Sequence, residues 1–378
     1  MLLVAAALAG LNFGVSALLR GNAALAERVF VPVAKAVSSV LRAVVNLLPF
    51  SFVELCVGLL LLLLCLLIGA LLWSGISFLW RKLRPRPESA EAGEPEEEDG
   101  RSGLLRFLGT VGLTGAILLS YFNISYGFTF NRPEIDELMG LQEESYSVEQ
   151  LYELTALLAE RAGEAREALP EGGDPASFDF DFDALRDASI EAFQKLQRGE
   201  DGALFSGFLT KPKRVLFSEG MSWLGISGMY APFFSESSIS DDGIQASIPY
   251  TVTHELAHSV MFGREDEANF VAFLACTGAD DPMVRYSGYY RAYSYCANAL
   301  YSAEPELYQK MRDEAPEGVL ADRTVESLHV RSYQGASVEI AQKYNDAFIK
   351  STGQEAGIES YGRVVDLFLA YYEQRGLE

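Results

Sequence analysis

Histidine is scarce in this chain. Its 378 residues include three histidines, and two of them, His254 and His258, stand four residues apart. The four cysteines show no CxxC spacing, which argues against a cysteine zinc site and leaves the redox compartment open. Basic residues are outnumbered, with 30 Lys and Arg against 52 Asp and Glu and a formal net charge of −22. Binding a phosphate backbone needs patches of Lys and Arg, so nucleic acid is not expected as a partner.

Apolar residues make up 49% of the chain and crowd into its first third. Three runs are long enough to cross a bilayer, at about 2–19, 52–80 and 104–122. The first run could instead belong to a signal peptide, but it has no basic region before it and no cleavage site followed by soluble sequence. We therefore expect a multi-pass protein of the cell membrane, with the lipid bilayer as a partner.

The segment between the first two spans is amphipathic. Arg28, Lys35 and Arg42 recur at seven-residue spacing among Val, Ala and Leu. This pattern fits a helix lying on the membrane surface. It fits equally well an ordinary amphipathic helix packed on protein.

The loop between the second and third spans is rich in Pro, Glu and Gly at about 84–103 and is predicted to be disordered. Basic residues near its ends are Arg81, Lys82, Arg84, Arg86, Arg101 and Arg106. Short loops with such an excess of Arg and Lys stay in the cytoplasm. The chain after the third span is therefore expected to be extracytoplasmic.

The sequence predicts a membrane region over 1–127 and one mainly helical domain over 128–378. Period-two patterns predict short strands at Arg214–Ser218 and Ile226–Phe234, and Pro232 marks the second as an edge strand. A polar loop is expected at Ser237–Gln245. Helical patterns occur at Ser147–Leu169, Asp183–Arg198, Pro282–Tyr301, Pro305–Arg312, Ser337–Lys350 and Tyr361–Arg375.

The stretch Thr251–His258 contains an HExxH motif. Four-residue spacing on a helix places the rings of His254 and His258 on one face, where both can bind one Zn²⁺. Glu255 points elsewhere around the helix and stays free to act as a general base. The flanking residues are uncharged, as expected for a helix buried beside a metal. Ser247 is the expected N-cap of this helix, with Pro249 in its first turn.

A third ligand is sought just downstream. In a continuous helix Glu265 would lie about 16 Å along the axis from His254, too far to share one ion. The helix must therefore break, and Gly263 is the expected C′ residue. A second helix can then present Glu265 to the metal, with Asn269 one turn later holding a histidine ring. Glu267 is the competing ligand, and the acid that is not used is expected to face solvent.

Hydrolysis would also need a donor for the oxyanion. Tyr286 and Tyr361 are the candidates chosen for this catalytic role. Further possible donors are Tyr289, Arg363 and His329. The edge strand Ile226–Phe234 could pair with an extended substrate, or it could only support the active helix.

These motifs resemble two groups of proteins. HExxH followed by Glu-x-x-Ala-Asn resembles the gluzincin metallopeptidases, with a shorter separation than most of them have. That resemblance implies a zincin-like α+β domain with His254, His258 and Glu265 as zinc ligands and Glu255 as base. Over nearly its full length the chain resembles more closely a bacterial three-span membrane family of unknown function. The shared motifs are Pro49-Phe-Ser51, Ser227-Gly-Met-Tyr230, the HELAH stretch, Arg264–Asn269, Tyr286-Ser-Gly288 and Ser360–Arg363.

Three functional hypotheses follow. The first is a membrane-bound zinc metalloendopeptidase acting on peptide or protein substrates. The second is a catalytically silent zinc-binding module that senses or binds a partner, and the third is a structural membrane protein with an incidental motif. Glu255 favours the enzyme, because a binding module has no need of a base at that position.

Overall fold

The computed structural model describes residues 1–83, 100–142, 145–171, 173–351 and 362–377. Contacts divide the chain into two compact units. The first comprises Met1–Gly14 and Phe52–Tyr121, and the second comprises Val15–Ser51 and Phe122–Glu378. The segment between the first two spans therefore belongs to the same unit as the carboxy-terminal part of the chain.

The amino-terminal helices are α1 (Leu2–Arg20), α2 (Ala23–Leu25), α3 (Val31–Val45), α4 (Phe52–Leu83) and α5 (Gly100–Ser125). In the described part of the chain, three stretches are long and apolar enough to cross a membrane, namely Leu2–Arg20, Phe52–Trp80 and Gly103–Ser125. The three predicted runs are thus confirmed as apolar helices. Residues 84–99 of the predicted disordered loop lie outside the described residues, and its last four residues belong to α5.

Helix α3 has two different faces. One face buries Val31, Ala34, Ser38, Arg42 and Val45 against the second unit. The opposite face exposes apolar side chains to the surroundings, namely Val33, Val40 and Val44. Packing on protein is therefore confirmed for one face, while the other keeps the apolar character that a membrane-surface helix would need.

The other helices of the second unit are α6 (Ile135–Met139), α7 (Val148–Glu167), α8 (Phe182–Arg198), α9 (Ser218–Ser222), α10 (Ile248–Ser259), α11 (Glu265–Thr277), α12 (Pro282–Ala303), α13 (Pro305–Glu314), α14 (Glu317–Ser332), α15 (Ala336–Ser351) and α16 (Arg363–Arg375). Helix α7 starts with a capping box between Ser147 and Gln150. Helix α14 was not predicted, because it buries few side chains and shows little apolar periodicity.

A small sheet lies beside α10 in the second unit. Within the described residues its strands are β1 (Lys213–Arg214), β2 (Gly228–Ala231) and β3 (Glu236–Ile239), in the spatial order β1-β3-β2. Strand β3 runs parallel to β1 and antiparallel to β2. The predicted edge position of the second strand is confirmed, since β2 pairs with β3 alone among the described strands.

Two sequence predictions for this sheet were wrong. The strand expected over Arg214–Ser218 ends at Arg214, and helix α9 begins at Ser218. The expected polar loop at Ser237–Gln245 contains most of β3, which is the fully buried central strand. Serines usually indicate an exposed loop, but here their hydroxyls form hydrogen bonds inside the protein. The hydroxyl of Ser237, for example, donates to the Glu255 carbonyl at 3.3 Å.

Candidate metal centre

Helix α10 ends in a Schellman turn. The N–H of Phe262 donates to the carbonyl of Ala257 at 3.1 Å, and the N–H of Met261 donates to that of His258 at 3.0 Å. Met261 is the left-handed residue, with φ of 78°. The break was predicted correctly, but its assignment to Gly263 as C′ was wrong. Gly263 is needed instead because a Cβ there would lie 2.7 Å from the Phe130 ring.

The turn brings the predicted ligands together. Helix α11 begins at Glu265 and presents its carboxylate to the two histidines. The Nε2 atoms of His254 and His258 lie 3.1 Å apart. Glu265 oxygens lie 3.3 Å from His254 Nε2 and 3.7 Å from His258 Nε2. These three side chains form the candidate metal-binding group of the described residues.

This donor set fits a zinc ion. Ligand atoms about 2.0–2.1 Å from a tetrahedral zinc are separated from each other by about 3.3–3.4 Å. His254 Nδ1 lies 3.0 Å from Asn269 Oδ1, and His258 Nδ1 lies 2.7 Å from the Phe262 carbonyl oxygen. Both oxygens can accept a hydrogen bond, so each Nδ1 is placed to donate and each Nε2 is left as the ring atom that can bind a metal. The expected contact between Asn269 and a histidine is therefore present.

Burial and charge act differently on the two histidines. Burial lowers the pKa of His258 to about 4, which keeps this ring neutral as a metal ligand must be. Burial opposes the charged form of His254 as well. There, the hydrogen bond and the charge of Glu265 outweigh burial and raise the pKa of the ring.

Glu255 lies beside the ligands on α10 and is only 3% exposed. Burial raises the pKa of its carboxyl to about 8, against the attraction of His254. Its Oε2 is buried and has no hydrogen-bond partner among the described residues. On the other side Gly228 of β2 packs closely, and a Cβ on that glycine would lie 2.6 Å from Glu255 Oε1. A raised pKa means that this carboxyl binds a proton more readily than an ordinary glutamate, as a group that takes up and passes on a proton must.

Glu267 does not face solvent as predicted. It is 2% exposed, and its Oε1 accepts hydrogen bonds from the Ile135 N–H at 3.0 Å and from Arg264 Nη1 at 2.6 Å. The structure thus separates the two acids by role. Glu265 faces the histidines, while Glu267 joins the start of α11 to the start of α6.

Among the described candidates for the oxyanion donor, Tyr286, His329 and Arg363 contact residues other than the three candidate ligands. The Tyr286 hydroxyl donates to Asp322 at 2.6 Å, and Asp322 also pairs with Arg166. Tyr361 lies outside the described residues. His329 lies 3.0 Å from the Asp242 carbonyl oxygen and Arg363 pairs with Glu134, while Tyr289 is buried.

Two other tyrosines, which the sequence did not single out, lie at the centre. The Tyr126 hydroxyl is 3.2 Å from His258 Nδ1, and burial raises the pKa of Tyr126 well above its usual value. The Tyr295 hydroxyl donates to Asn269 Oδ1 at 3.2 Å. Tyr126 follows the third span and Tyr295 is one of several tyrosines in α12, so no local pattern marked either one.

Fold and site together define a mainly helical chain with three helices long and apolar enough to cross a membrane and a candidate HExxH metal centre. The family model described as "Protein of unknown function (DUF3810)" matches residues 32–369. The chain belongs to this family. No curated protein and no solved structure matches the chain.

Proposed function

We propose that this protein is a membrane-bound zinc-dependent metallopeptidase that hydrolyses peptide bonds. The observation that carries the proposal is the convergence of His254, His258 and Glu265 beside the unpartnered oxygen of Glu255. When bound, a zinc ion supplies Lewis acidity and lowers the pKa of a coordinated water toward neutrality. His254, His258 and Glu265 would hold that ion.

The chain's own residues perform the proton transfers. Glu255 takes a proton from the attacking water and delivers it to the leaving nitrogen. Asn269 and the Phe262 carbonyl fix the two imidazoles in the tautomer that leaves Nε2 free. Strand β2 offers an edge next to Glu255, along which an extended peptide could add as a further strand. The basic loop after the second span favours an extracytoplasmic position for this site.

The test compares wild-type full-length protein with Glu255→Gln in detergent. We expect about one zinc per chain in both proteins. Cleavage in a peptide library should fall roughly 10²–10⁴-fold in Glu255→Gln, because a positioned base contributes about that much. Glu306→Gln, which changes an exposed glutamate on α13, is the matched control and should cleave like wild type.

Two results would overturn the proposal. One is wild-type protein that binds no zinc. The other is cleavage that continues unchanged in Glu255→Gln. Zinc bound by a wild-type protein that cleaves no peptide would instead favour the silent zinc-binding module.

A further inference from the structure

Two segments of the second unit each carry several exposed apolar side chains. Helix α3 carries Val40, Val44 and Leu47 along one face or just beyond its end, and Leu47 is 81% exposed. The segment after β1 carries Leu216, Trp223 and Leu224, and Leu216 is 87% exposed. We refer to these six residues as the apolar surface. Large exposed apolar areas on a folded unit mark sites of interaction.

Hydrogen bonds join the two segments. The buried ammonium of Lys213 donates to the Val45 carbonyl at 2.9 Å and to the Phe50 carbonyl at 3.4 Å. Leu216 follows three residues later, so at most about 10 Å of chain separates it from Lys213. The backbone N–H of Lys211 donates to Asn46 Oδ1 at 2.8 Å, next to Leu47. The Trp223 ring lies 5.6 Å from the ring of Phe217, the neighbour of Leu216. Val40 and Val44 lie on α3, which leads to Leu47, so the six residues belong to one region of the second unit.

The same unit contains the points where the spans begin or end. Ser51 directly precedes Phe52, the first residue of the second span, and its Oγ lies 3.1 Å from Ser238 Oγ on β3. Phe122 lies in the last turn of the third span and stacks on Phe233 at 5.8 Å. Leu19, near the end of the first span, is fully buried within the second unit. By chain continuity, the bilayer surface must pass close to this region.

We propose that the apolar surface docks on the lipid headgroup boundary of the bilayer that the spans cross. Its composition suits that partner, since tryptophan and exposed aliphatic side chains favour the membrane–water interface. Lys211 lies exposed beside it and can reach anionic headgroups, in a chain whose net charge is −22. The lipid bilayer, rather than a protein, is therefore the partner of this surface.

Docking also specifies the substrate class, and this step rests on the proposed function. Gly228 at the start of β2 lies four residues after Leu224, or at most about 14 Å of chain. The same glycine packs against Glu255. The edge that would receive a peptide is thus held at the bilayer surface. The substrate is then a polypeptide segment tethered to the membrane and cleaved close to its anchor.

Fluorescence tests the docking without reference to activity. The chain has three tryptophans, so Trp73→Phe with Trp80→Phe leaves Trp223 as the sole probe. The full-length variant is placed in vesicles of phosphatidylcholine and phosphatidylglycerol, with or without bromine on the acyl chains near the headgroup. We expect brominated lipid to reduce Trp223 emission roughly twofold, as for a side chain at the interface. The second probe is Val40→Trp in a protein that also carries Trp73→Phe, Trp80→Phe and Trp223→Phe. Its emission should fall by a similar factor.

Tyr301→Trp in the tryptophan-free background is the control, since Tyr301 is exposed near the end of α12. It should be quenched by aqueous acrylamide and be insensitive to brominated lipid. The docking proposal is overturned if either probe on the apolar surface behaves like this control. It is also overturned if Trp223 emission is blue-shifted yet insensitive to brominated lipid, because protein would then cover the surface.

A pair of peptides tests the substrate class. One sequence is offered on vesicles in a soluble form and with an acyl anchor at one end. Wild-type protein should show roughly tenfold higher kcat/KM for the anchored form, because tethering raises the effective concentration. The double variant Leu216→Asp with Leu224→Asp should lose this advantage and keep the wild-type rate on the soluble peptide.

Equal rates of the wild-type protein on the anchored and the soluble peptide would overturn the substrate class. Cleavage of neither peptide would count against the proposed function, while the fluorescence probes still decide the docking.

Discussion

The guanidinium of Arg42 donates from Nη2 to the carbonyl oxygen of Ser259 over 2.7 Å. Ser259 is the last residue of α10, the helix that carries both candidate histidine ligands, whereas Arg42 lies on α3 between the first two spans. Arg42 is 1% exposed and also donates to the Phe208 carbonyl. A cation at the carboxy-terminal end of a helix stabilises its unsatisfied carbonyls and its dipole. Helix α3 therefore supports directly the helix that carries both candidate histidine ligands.

Arg42→Met should lower the stability of the second unit. The substitution leaves buried carbonyls without donors, at a cost of about 1–3 kcal/mol for each. We expect a clear fall in Tm for detergent-solubilised protein, followed by differential scanning fluorimetry. Arg28→Met makes the same change at an exposed arginine just before α3 and should leave Tm unchanged. A similar Tm for both variants would show that the contact contributes nothing.

Glu265→Gln and Glu267→Gln should separate metal binding from stability. Glu265 faces the histidines, so its variant should lose most bound zinc and retain its helical structure. Glu267 forms an ion pair with Arg264 and accepts a hydrogen bond from the Ile135 N–H. The Glu267→Gln variant should therefore keep the zinc but unfold at a lower temperature. Elemental analysis and circular dichroism give the two readouts. Zinc loss confined to Glu267→Gln would reverse the ligand assignment.

Asn269→Ala should weaken metal binding without removing a ligand. Its side chain holds His254, and loss of such an outer contact typically reduces metal affinity about 10–100-fold. Competition with a chromogenic chelator measures the affinity. Tyr295→Phe removes only the second hydrogen bond to the same oxygen and should have a smaller effect. Equal affinities in wild type and Asn269→Ala would contradict the orienting role.

Gly228→Ala should impair catalysis more than zinc binding. The added methyl group would lie 2.6 Å from Glu255 Oε1 and 2.7 Å from Thr251 Cγ2, so the carboxylate must shift. A displacement of about 1 Å in a catalytic group can cost roughly 10²-fold in rate. The readouts are peptide cleavage and zinc content. Gly335→Ala, where a Cβ meets nothing within 4 Å, is the control and should resemble wild type.

Lys35 should make stability depend on pH. Burial, together with Arg132, lowers its pKa to about 8 from 10.5, partly offset by Glu27. Between these two values the unfolded chain holds a proton that the folded chain has released, so this residue's contribution to stability rises with pH. Lys35→Met should therefore be more stable than wild type at pH 7, by on the order of 2 kcal/mol. The difference should shrink as pH rises from 8 toward 10.

Chemical unfolding at several pH values checks this prediction. Lys343→Met, at an exposed position on α15, is the control and should show no comparable pH-dependent gain. A gain from Lys35→Met that stays constant across the range would mean that the charge of Lys35 is not its source.

Local sequence determined the three long apolar helices and the HExxH helix. Apolar runs identify membrane-length helices because one long uninterrupted segment is enough to cross a bilayer. The spacing of His254 and His258 fixes their shared face for any helix, and the distance argument required a break before Glu265. Apolar periodicity likewise located most helices of the carboxy-terminal part, since this signal lies within one element.

Tertiary structure alone decided what surrounds those residues. Met261, not Gly263, takes the left-handed position because its side chain packs with Tyr126, Phe130 and Tyr230. Strand β3 looked like a loop because partners such as Ser51, distant in the chain, satisfy its polar groups. The contact of Tyr126 with His258 and that of Arg42 with Ser259 join residues more than a hundred positions apart. Such contacts cannot be predicted from sequence periodicity, because they form only when separate elements pack together.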